Sequence, residues 1–181
     1  MEQAMSLLVV GSVAYDSITS PFGTVNDALG GSAVFFSLAA ARFTTPRIVA
    51  VVGADFRPEH TALLQDAGAD TAGLVREAAG KTFRWCGRYH EDGINRTTLS
   101  THLNVFEHFN PEIPAAFRDS ATVFLANIHP ALQLRVLDQV DTPRFVAADT
   151  MDLWIDTEPA ALRQVLRRVD ALLVNDSEAR A

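Results

Sequence analysis

The sequence predicts an α/β protein with a doubly wound, mostly parallel sheet covered by helices and a small antiparallel β lid. Short apolar runs alternate with helix-like segments along the chain, which is typical of parallel strands buried on both faces. Residues 81–106 depart from this rhythm, because apolar and polar residues alternate there one by one. Such alternation predicts strands with a single buried face, which cannot form a crossover helix and must leave the main sheet.

Composition and charge limit the classes of function. The 181 residues are 48% hydrophobic and 20% charged, the balance of a globular domain with a sizeable core. The net charge of −7 argues against binding to nucleic acid or to an anionic membrane. Cys86 is the only cysteine, which excludes an internal disulfide. No apolar run reaches membrane-spanning length and residues 1–5 carry no signal-peptide pattern, so a cytoplasmic location is expected.

The predicted elements of the main sheet alternate along the chain. Strands are expected where short apolar runs end in a glycine or a polar residue, namely at residues 6–10, 47–52, 73–76, 122–126, 145–148 and 171–174. Helices are expected in the segments between them, two of which begin with a proline, namely at residues 32–43, 58–66, 131–139 and 159–169. This order implies right-handed crossovers and a ligand site beyond the carboxyl ends of the strands.

Two segments are predicted to stand away from the main sheet. Residues 12–29 are mixed in polarity and contain turn-forming residues, so they form an excursion and not a helix. Residues 82–90 and 96–106 form the arms of an antiparallel hairpin, which the Asp92-Gly93 pair indicates.

The hairpin carries an apolar face that needs a partner. Its members are Phe83, Trp85 and Tyr89 on the first arm and Leu99, Leu103 and Val105 on the second. An isolated two-stranded hairpin is marginal in water, so this face must cover something. We expect it to face the site around Asp16 and Gly31 or the seam of a dimer; the alternative is packing on the body of the domain.

A glycine pair, Gly30-Gly31, precedes a helix of small and apolar residues. Glycine lacks a Cβ atom, so a ligand can touch the backbone there. The first amides of the helix have no partner within the helix and are expected to face a hydroxylated or anionic ligand. A tight turn before a packed helix explains the same residues without a ligand.

Polar residues follow the predicted strands and should gather at one edge of the sheet. They are Asp16, Asp55, Asn127, Asp149, Asp152, Asn175, Asp176 and Glu178. Any one of these carboxylates can be a helix cap, but the set as a whole indicates a site.

Four motifs occur in a set order along the chain. They are Val9-Val10-Gly11-Ser12 with Asp16, Gly30-Gly31 with the alanine-rich helix, Val52-Gly53-Ala54-Asp55, and Leu173-Val174-Asn175-Asp176-Ser177-Glu178. In this order they resemble motifs of the ribokinase-like, or PfkB, carbohydrate kinases. The resemblance covers the whole chain, and the segments at about residues 13–28 and 81–106 stand where that family carries its β lid.

The resemblance implies an enzyme that phosphorylates a hydroxyl group of a sugar or nucleoside, with ATP and Mg²⁺. Asp16 would accept hydrogen bonds from substrate hydroxyls, and Gly30 and Gly31 would let the substrate lie against the backbone. Asn175 would contact the nucleotide phosphates, and Glu178 would orient water bound to Mg²⁺. The resemblance also implies a lid that closes over the substrate and that forms a homodimer interface in some members.

The sequence departs from the family pattern at two points. Phe35 stands where the family commonly has an asparagine that contacts sugar hydroxyls, and it would suit a substrate with an aromatic part, such as a nucleoside. The family's Gly-Ala-Gly-Asp motif supplies the anion hole and the catalytic base downstream of Asn-x-x-Glu, and no such motif precedes Ala181.

Residues 1–181 are therefore expected to be the N-terminal part of one ribokinase-like domain. The catalytic base and the bulk of the nucleotide-binding part would lie outside them, so no catalytic residue is assigned and the chain alone is expected to be inactive. The alternatives are a non-catalytic sugar- or nucleoside-binding module and a scaffold that dimerises through the lid.

Overall fold

The computed structural model describes residues 6–93 and 95–181. Residues 1–5, in which no signal-peptide pattern was found, lie outside this part of the chain. The strands are β1 (Leu7–Val10), β2 (Ala14–Ser20), β3 (Gly23–Gly30), β4 (Pro46–Gly53), β5 (Asp70–Glu77), β6 (Phe83–Tyr89), β7 (Arg96–His102), β8 (Thr122–Leu125), β9 (Phe145–Asp149) and β10 (Ala171–Leu173). The α-helices are α1 (Ser32–Ala40), α2 (Pro58–Asp66), α3 (Pro130–Leu137), α4 (Asp152–Thr157) and α5 (Pro159–Leu166). Within these described ranges, no helix is both long enough and apolar enough to cross a membrane.

The larger sheet contains six parallel strands in the order β10-β9-β8-β1-β4-β5. The chain starts at the central strand β1, builds one side with β4 and β5, and then builds the other side with β8, β9 and β10. The strand order thus reverses beside β1. This arrangement confirms the predicted doubly wound sheet, and the crevice at such a reversal is where ligands bind in open α/β sheets.

Both faces of this sheet are buried, because alternate residues of each strand point to opposite sides. On one face, Val9 and Phe124 pack with Ala33 of α1. On the other face, Leu8 lies in the cluster that contains Val136 of α3 and Val165 of α5. The two layers of helices explain why the strands read as continuous apolar runs in the sequence.

The second sheet contains four strands in the order β3-β2-β6-β7 and is separate from the first. The pairs β2–β3 and β6–β7 are antiparallel hairpins, but β2 and β6 pair in parallel. Both β2 and β6 leave the carboxyl edge of the main sheet, after β1 and after β5 respectively, so they run in the same direction. The lid therefore stands off the main sheet as predicted, but it is a mixed sheet where an antiparallel one was expected.

The second arm of the hairpin is shorter than the alternation predicts. Strand β7 ends at His102, and a 3₁₀ helix at Asn104–His108 carries the chain back to the main sheet. Asn104 has a left-handed backbone with φ of 53° and its side-chain amide donates to the carbonyl oxygen of Thr82 over 2.9 Å. Val105 consequently packs against the main core and does not extend the face of the lid.

Candidate active site

Polar loop residues make a continuous row along the carboxyl edge of the main sheet. Ser12 follows β1, and its hydroxyl lies 3.1 Å from the hydroxyl of Ser32 at the start of α1. The Ser32 hydroxyl also donates to the backbone carbonyl oxygen of Asn127, which follows β8, over 3.4 Å. These contacts join the loop after β1 and the start of α1 to the loop that follows β8.

Asp16, Gly30 and Gly31 form one structural unit at the base of the lid. Asp16 lies on β2 beside β3, and the Gly31 amide donates a hydrogen bond to its carboxylate. Burial raises the pKa of Asp16, and the hydrogen bond from Gly31 offsets part of that increase. A Cβ atom on Gly30 would collide with the Asp16 carboxylate, and Gly31 has a left-handed φ of 101°. The glycine pair is therefore required by the backbone turn and by the close approach of Asp16.

The first amides of α1 are not available to a ligand, so that expectation was wrong. The Ser32 amide donates to the Ser12 hydroxyl over 3.0 Å, and the Ala33 amide donates to the Ser12 carbonyl oxygen over 3.1 Å. The next two amides donate to the carbonyl oxygen of Gly31. Ser12 caps the helix across the sheet edge, and no local sequence pattern predicts this contact because the two serines are twenty positions apart.

Phe35 lies on the solvent side of α1 and is 60% exposed. The neighbouring Phe36 points the other way and stacks on Phe124 of β8, with 3.6 Å between ring centroids. Phe35 thus presents a free aromatic surface one turn beyond the glycine pair. Its role in substrate binding remains a prediction.

The aromatic face of the lid lies on the same side as Asp16. Trp85 of β6 is the register partner of Asp16 on β2, and partners in adjacent strands share a face. The Trp85 indole covers Gly87, where a Cβ atom would collide with it, and its Nε1 donates to the Thr98 hydroxyl over 3.2 Å. Phe83 instead stacks on Phe106, with 5.3 Å between centroids. At one end of the face, Phe83 therefore packs on the 3₁₀ helix that follows β7. At the other end, Trp85 lies on the Asp16 side of the lid.

Asn175 and Glu178 contact each other in the turn that follows β10. The Glu178 carboxylate accepts from the Asn175 backbone amide over 2.9 Å. The Asn175 side-chain oxygen accepts from the Ser177 amide and hydroxyl and from the Glu178 amide, at 2.7–2.9 Å. This is also the geometry of a capped first turn, so these contacts alone do not assign a ligand role to either residue.

Asp149, at the end of β9, is the most perturbed carboxylate of this edge. Burial and then the nearby charge of Glu178 raise its pKa to about 6, against hydrogen bonds from the amides of Thr150 and Asn127. The Asn127 side chain is held in place by Trp154, whose Nε1 donates to its oxygen over 2.8 Å. The loops after β8, β9 and β10 thus come together as the strand order requires.

These residues line an open pocket of about 470 Å³. Its lining comprises Arg96, Asn127, Asp149, Thr150, Met151, Leu173, Val174, Asn175 and Glu178. Arg96 is the first residue of β7, the second strand of the β6–β7 hairpin. The lid therefore reaches this edge of the main sheet and contributes the positively charged side chain of Arg96 to the pocket. Sequence analysis assigned no role to Arg96, and only its position beside the hairpin turn could have drawn attention to it.

Two carboxylates line this pocket, those of Asp149 and Glu178, and carboxylate oxygen is the ligand type that Mg²⁺ prefers. Among the described residues, no group of three or more His, Cys, Asp or Glu side chains could enclose a metal ion. Asp149 and Glu178 both line the pocket, and the charge of Glu178 contributes to the raised pKa of Asp149. Mg²⁺ is commonly bound by one or two carboxylates, with water and substrate phosphate filling the remaining positions.

Comparison with solved structures shows that the chain has a ribokinase-like α/β fold. No family model matches the chain. Among solved structures, the nucleoside kinase of Methanocaldococcus jannaschii, an archaeal member of the ribokinase family, has a TM-score of 0.76 at 16% identity. The ribokinase of Cryptococcus neoformans in complex with ADP has a TM-score of 0.75 at 20% identity. The nucleoside kinase of Burkholderia thailandensis in complex with inosine also has a TM-score of 0.75, at 16% identity. These structures confirm the fold that the motifs predicted.

A curated relative is similar in sequence over nearly the whole chain. The cytidine kinase of Thermococcus kodakarensis is 27% identical over 180 residues, which cover 97% of this chain and 63% of the relative. The three structures are matched over 97–98% of this chain and 58–63% of their own length. The chain therefore spans less than two thirds of the length of each of these four proteins.

Proposed function

We propose that this chain carries the substrate side and the beginning of the phosphate side of a PfkB-type kinase, which transfers the γ-phosphate of ATP to a hydroxyl group of a nucleoside or sugar. One observation carries the proposal. The contacts from Asp16 through Gly31, Ser32 and Asn127 connect the base of the lid to the pocket at the ends of β9 and β10. A substrate hydroxyl and a phosphate chain need two such adjoining regions.

In this proposal, Asp16 binds substrate hydroxyls and the Gly30-Gly31 turn lets the substrate lie against the backbone. The pKa of Asp16 is raised by burial, so its charged form lacks solvation in the free chain. Hydrogen bonds from substrate hydroxyls would stabilise that charge. Asn175 contacts the nucleotide phosphates, and Arg96 offers a positive charge beside the transferred phosphate. Glu178, through water, and Asp149 would hold Mg²⁺, which neutralises phosphate charge when it is bound.

A nucleoside is favoured over a simple sugar as the substrate class. Phe35 is exposed one turn beyond Gly31, and Trp85 shares the Asp16 face of the lid. Aromatic side chains stack on the flat face of a nucleobase. The phenyl ring of Phe35 has no hydrogen-bonding group for sugar hydroxyls, and the Trp85 Nε1 already donates to Thr98. The cytidine and nucleoside kinases among the relatives support the same class.

The reaction also needs a base that removes the proton of the accepting hydroxyl. The family motif that supplies it, Gly-Ala-Gly-Asp, does not occur within these 181 residues. We therefore propose that the chain as given binds substrate without completing the transfer.

Calorimetric titration of the chain with cytidine, inosine and ribose tests the proposed function. We expect binding of at least one nucleoside, and Asp16→Ala should weaken it by roughly 1.5–3 kcal/mol, the contribution of a hydrogen bond to a charged group. Asp66 is an exposed carboxylate on α2, so Asp66→Ala is the matched control and should leave the nucleoside affinity unchanged. Absence of binding by all three ligands, or equal affinity of the Asp16 variant, contradicts the proposal.

A further inference from the structure

Arg84 connects three parts of the molecule through one side chain. Its guanidinium forms an ion pair with Asp27 of β3 and a second one with Asp55 after β4, the latter at 2.9 Å. The same group lies over the Tyr15 ring, 5.0 Å from its centroid. Arg84 itself is on β6. One residue thus ties both lid hairpins to the main sheet.

Asp55 is the main-sheet end of this connection. Its carboxylate accepts from the amide and the hydroxyl of Thr82 over 2.7 and 2.8 Å, at the point where the second hairpin begins. The Thr82 hydroxyl accepts in turn from the Gly53 amide over 3.1 Å. A Cβ atom on Gly53 would collide with the backbone of Lys81 and Thr82. The Val-Gly-x-Asp motif therefore anchors the root of the lid, a role that sequence analysis had not assigned.

Asp27 is the lid end of the connection, and it lies next to the strand segment that carries Asp16. Asp27 has a left-handed φ of 50°, and its amide donates to the Ser17 hydroxyl over 3.2 Å. The β2–β3 ladder is irregular between Asp16 and Ile18, opposite this residue. The ion pair between Arg84 and Asp27 thus lies at the backbone irregularity that directly follows Asp16.

Arg84 does not share a face with Asp16. Its register partner is Tyr15, whereas Asp16 is paired with Trp85, and successive side chains of a strand point to opposite faces. Tyr15 is itself fixed, because its hydroxyl accepts from the Arg57 amide over 2.9 Å and its ring packs beside Phe56. Any effect of Arg84 on a ligand at Asp16 is therefore indirect and passes through the backbone of β2 or β3.

We propose that Arg84 is a positioning residue that sets the angle between the lid and the main sheet and so holds Asp16 over the Gly30-Gly31 turn. Arginine suits this place because its planar fork reaches two carboxylates at once, which an ammonium group cannot do with the same geometry. The part of this inference that concerns the lid stands on the contacts alone. The part that concerns the ligand rests on the proposed function.

Hydrogen exchange of the ligand-free chain tests the lid part. Arg84→Gln should raise exchange roughly tenfold in peptides from β2, β3 and β6, through local opening, and leave β8 and β9 unchanged. Arg84→Lys should give an intermediate increase. Arg88→Gln is the matched control, since Arg88 is an exposed arginine on the same strand. Equal exchange in the Arg84 and Arg88 variants, or an increase that extends over β8 and β9, overturns the proposal.

Two further measurements separate the positioning role from general loss of stability. Asp55→Asn and Arg84→Gln should each raise lid exchange, and the double variant should exceed the larger single effect by less than twofold, because both remove the same connection. If the increases in exchange of the two single variants multiply fully in the double variant, the two residues act independently and the positioning role of Arg84 is contradicted. For a nucleoside that binds the native chain, Arg84→Gln should raise Kd at least about fivefold while hydrogen exchange in β8 and β9 stays unchanged. If no nucleoside binds the native chain, the proposed function fails while the exchange result still decides the role of Arg84.

Discussion

The Ser32 hydroxyl donates to the backbone carbonyl oxygen of Asn127, ninety-five positions further along the chain, over 3.4 Å. This contact joins the start of α1 to the loop after β8, on either side of the central strand β1. It lies where the strand order of the sheet reverses, which is the place that doubly wound proteins use for ligands. The Gly-Gly turn, beside the central strand β1, and the Asn-x-x-Glu turn, after the outer strand β10, therefore lie along the same carboxyl edge of the sheet.

The contact between Gly30 and Asp16 predicts a steric effect. Gly30→Ala should destabilise the fold by roughly 1–3 kcal/mol, because the added methyl group collides with the Asp16 carboxylate. The combined variant Gly30→Ala with Asp16→Gly should recover most of that loss, since the carboxylate is then gone. Urea denaturation of the native chain and both variants measures the difference. A loss that persists in the combined variant would assign the effect to the backbone of residue 30.

The mutual influence of Asp149 and Glu178 predicts a change in titration. Glu178→Gln should lower the pKa of Asp149 from about 6, because one of the two causes of its increase is removed. Burial remains, so the pKa should stay above the usual aspartate value. Carboxyl-carbon NMR titration follows Asp149 directly. Glu77→Gln, at the far side of the sheet, serves as the control, and an unchanged Asp149 in the Glu178 variant would place the two carboxylates too far apart to share a cation.

The lowered pKa of Asp55 predicts that the stability of the fold depends on pH in the acid range. Burial alone would raise its pKa, but the hydrogen bonds from Thr82 and Arg84 outweigh burial and hold the pKa below the usual value. A folded-state pKa below the unfolded value means that Asp55 contributes stability fully above about pH 4 and loses it as the pH falls through the folded pKa.

Thermal melts of the native chain and Asp55→Asn over about pH 5 to 2 measure this contribution. The melting temperature of the native chain should fall more steeply than that of the variant. Asp66→Asn should follow the native curve, since Asp66 is exposed. Parallel curves for the native chain and the Asp55 variant would show that the lid anchor does not depend on the charge of Asp55.

The absence of the family's base motif predicts that the chain binds without catalysing. Incubation with cytidine, ATP and Mg²⁺ should give no nucleoside monophosphate by phosphorus NMR, while the Thermococcus cytidine kinase under the same conditions serves as the positive control. Formation of the monophosphate at the rate of an ordinary enzyme would mean that a base lies among the residues of this chain. Asp149, with its pKa near 6, would then be the first candidate.

The main sheet could be predicted from the sequence because its strands are buried on both faces. Continuous apolar runs such as Leu7–Val10 and Thr122–Leu125 carry that burial in their composition, and their polar neighbours mark the carboxyl edge. The Asn-x-x-Glu turn could also be recognised, because its hydrogen bonds join residues two or three positions apart. The end of β7 could not, because alternation continues past His102 while Asn104 turns the chain back by a contact with Thr82.

The α/β class, the burial pattern of the strands, the separate lid and the order of the motifs could be predicted from local patterns, because each depends on residues that are near one another in the chain. Four features could be seen only in the folded chain: β2 and β6 run in parallel, Ser12 caps α1, Arg84 anchors the lid through Asp27 and Asp55, and Arg96 reaches the pocket of Asp149. Each of these joins residues that are at least twenty positions apart. Their meeting depends on the direction in which loops leave the sheet edge, and no local pattern of polarity encodes that direction.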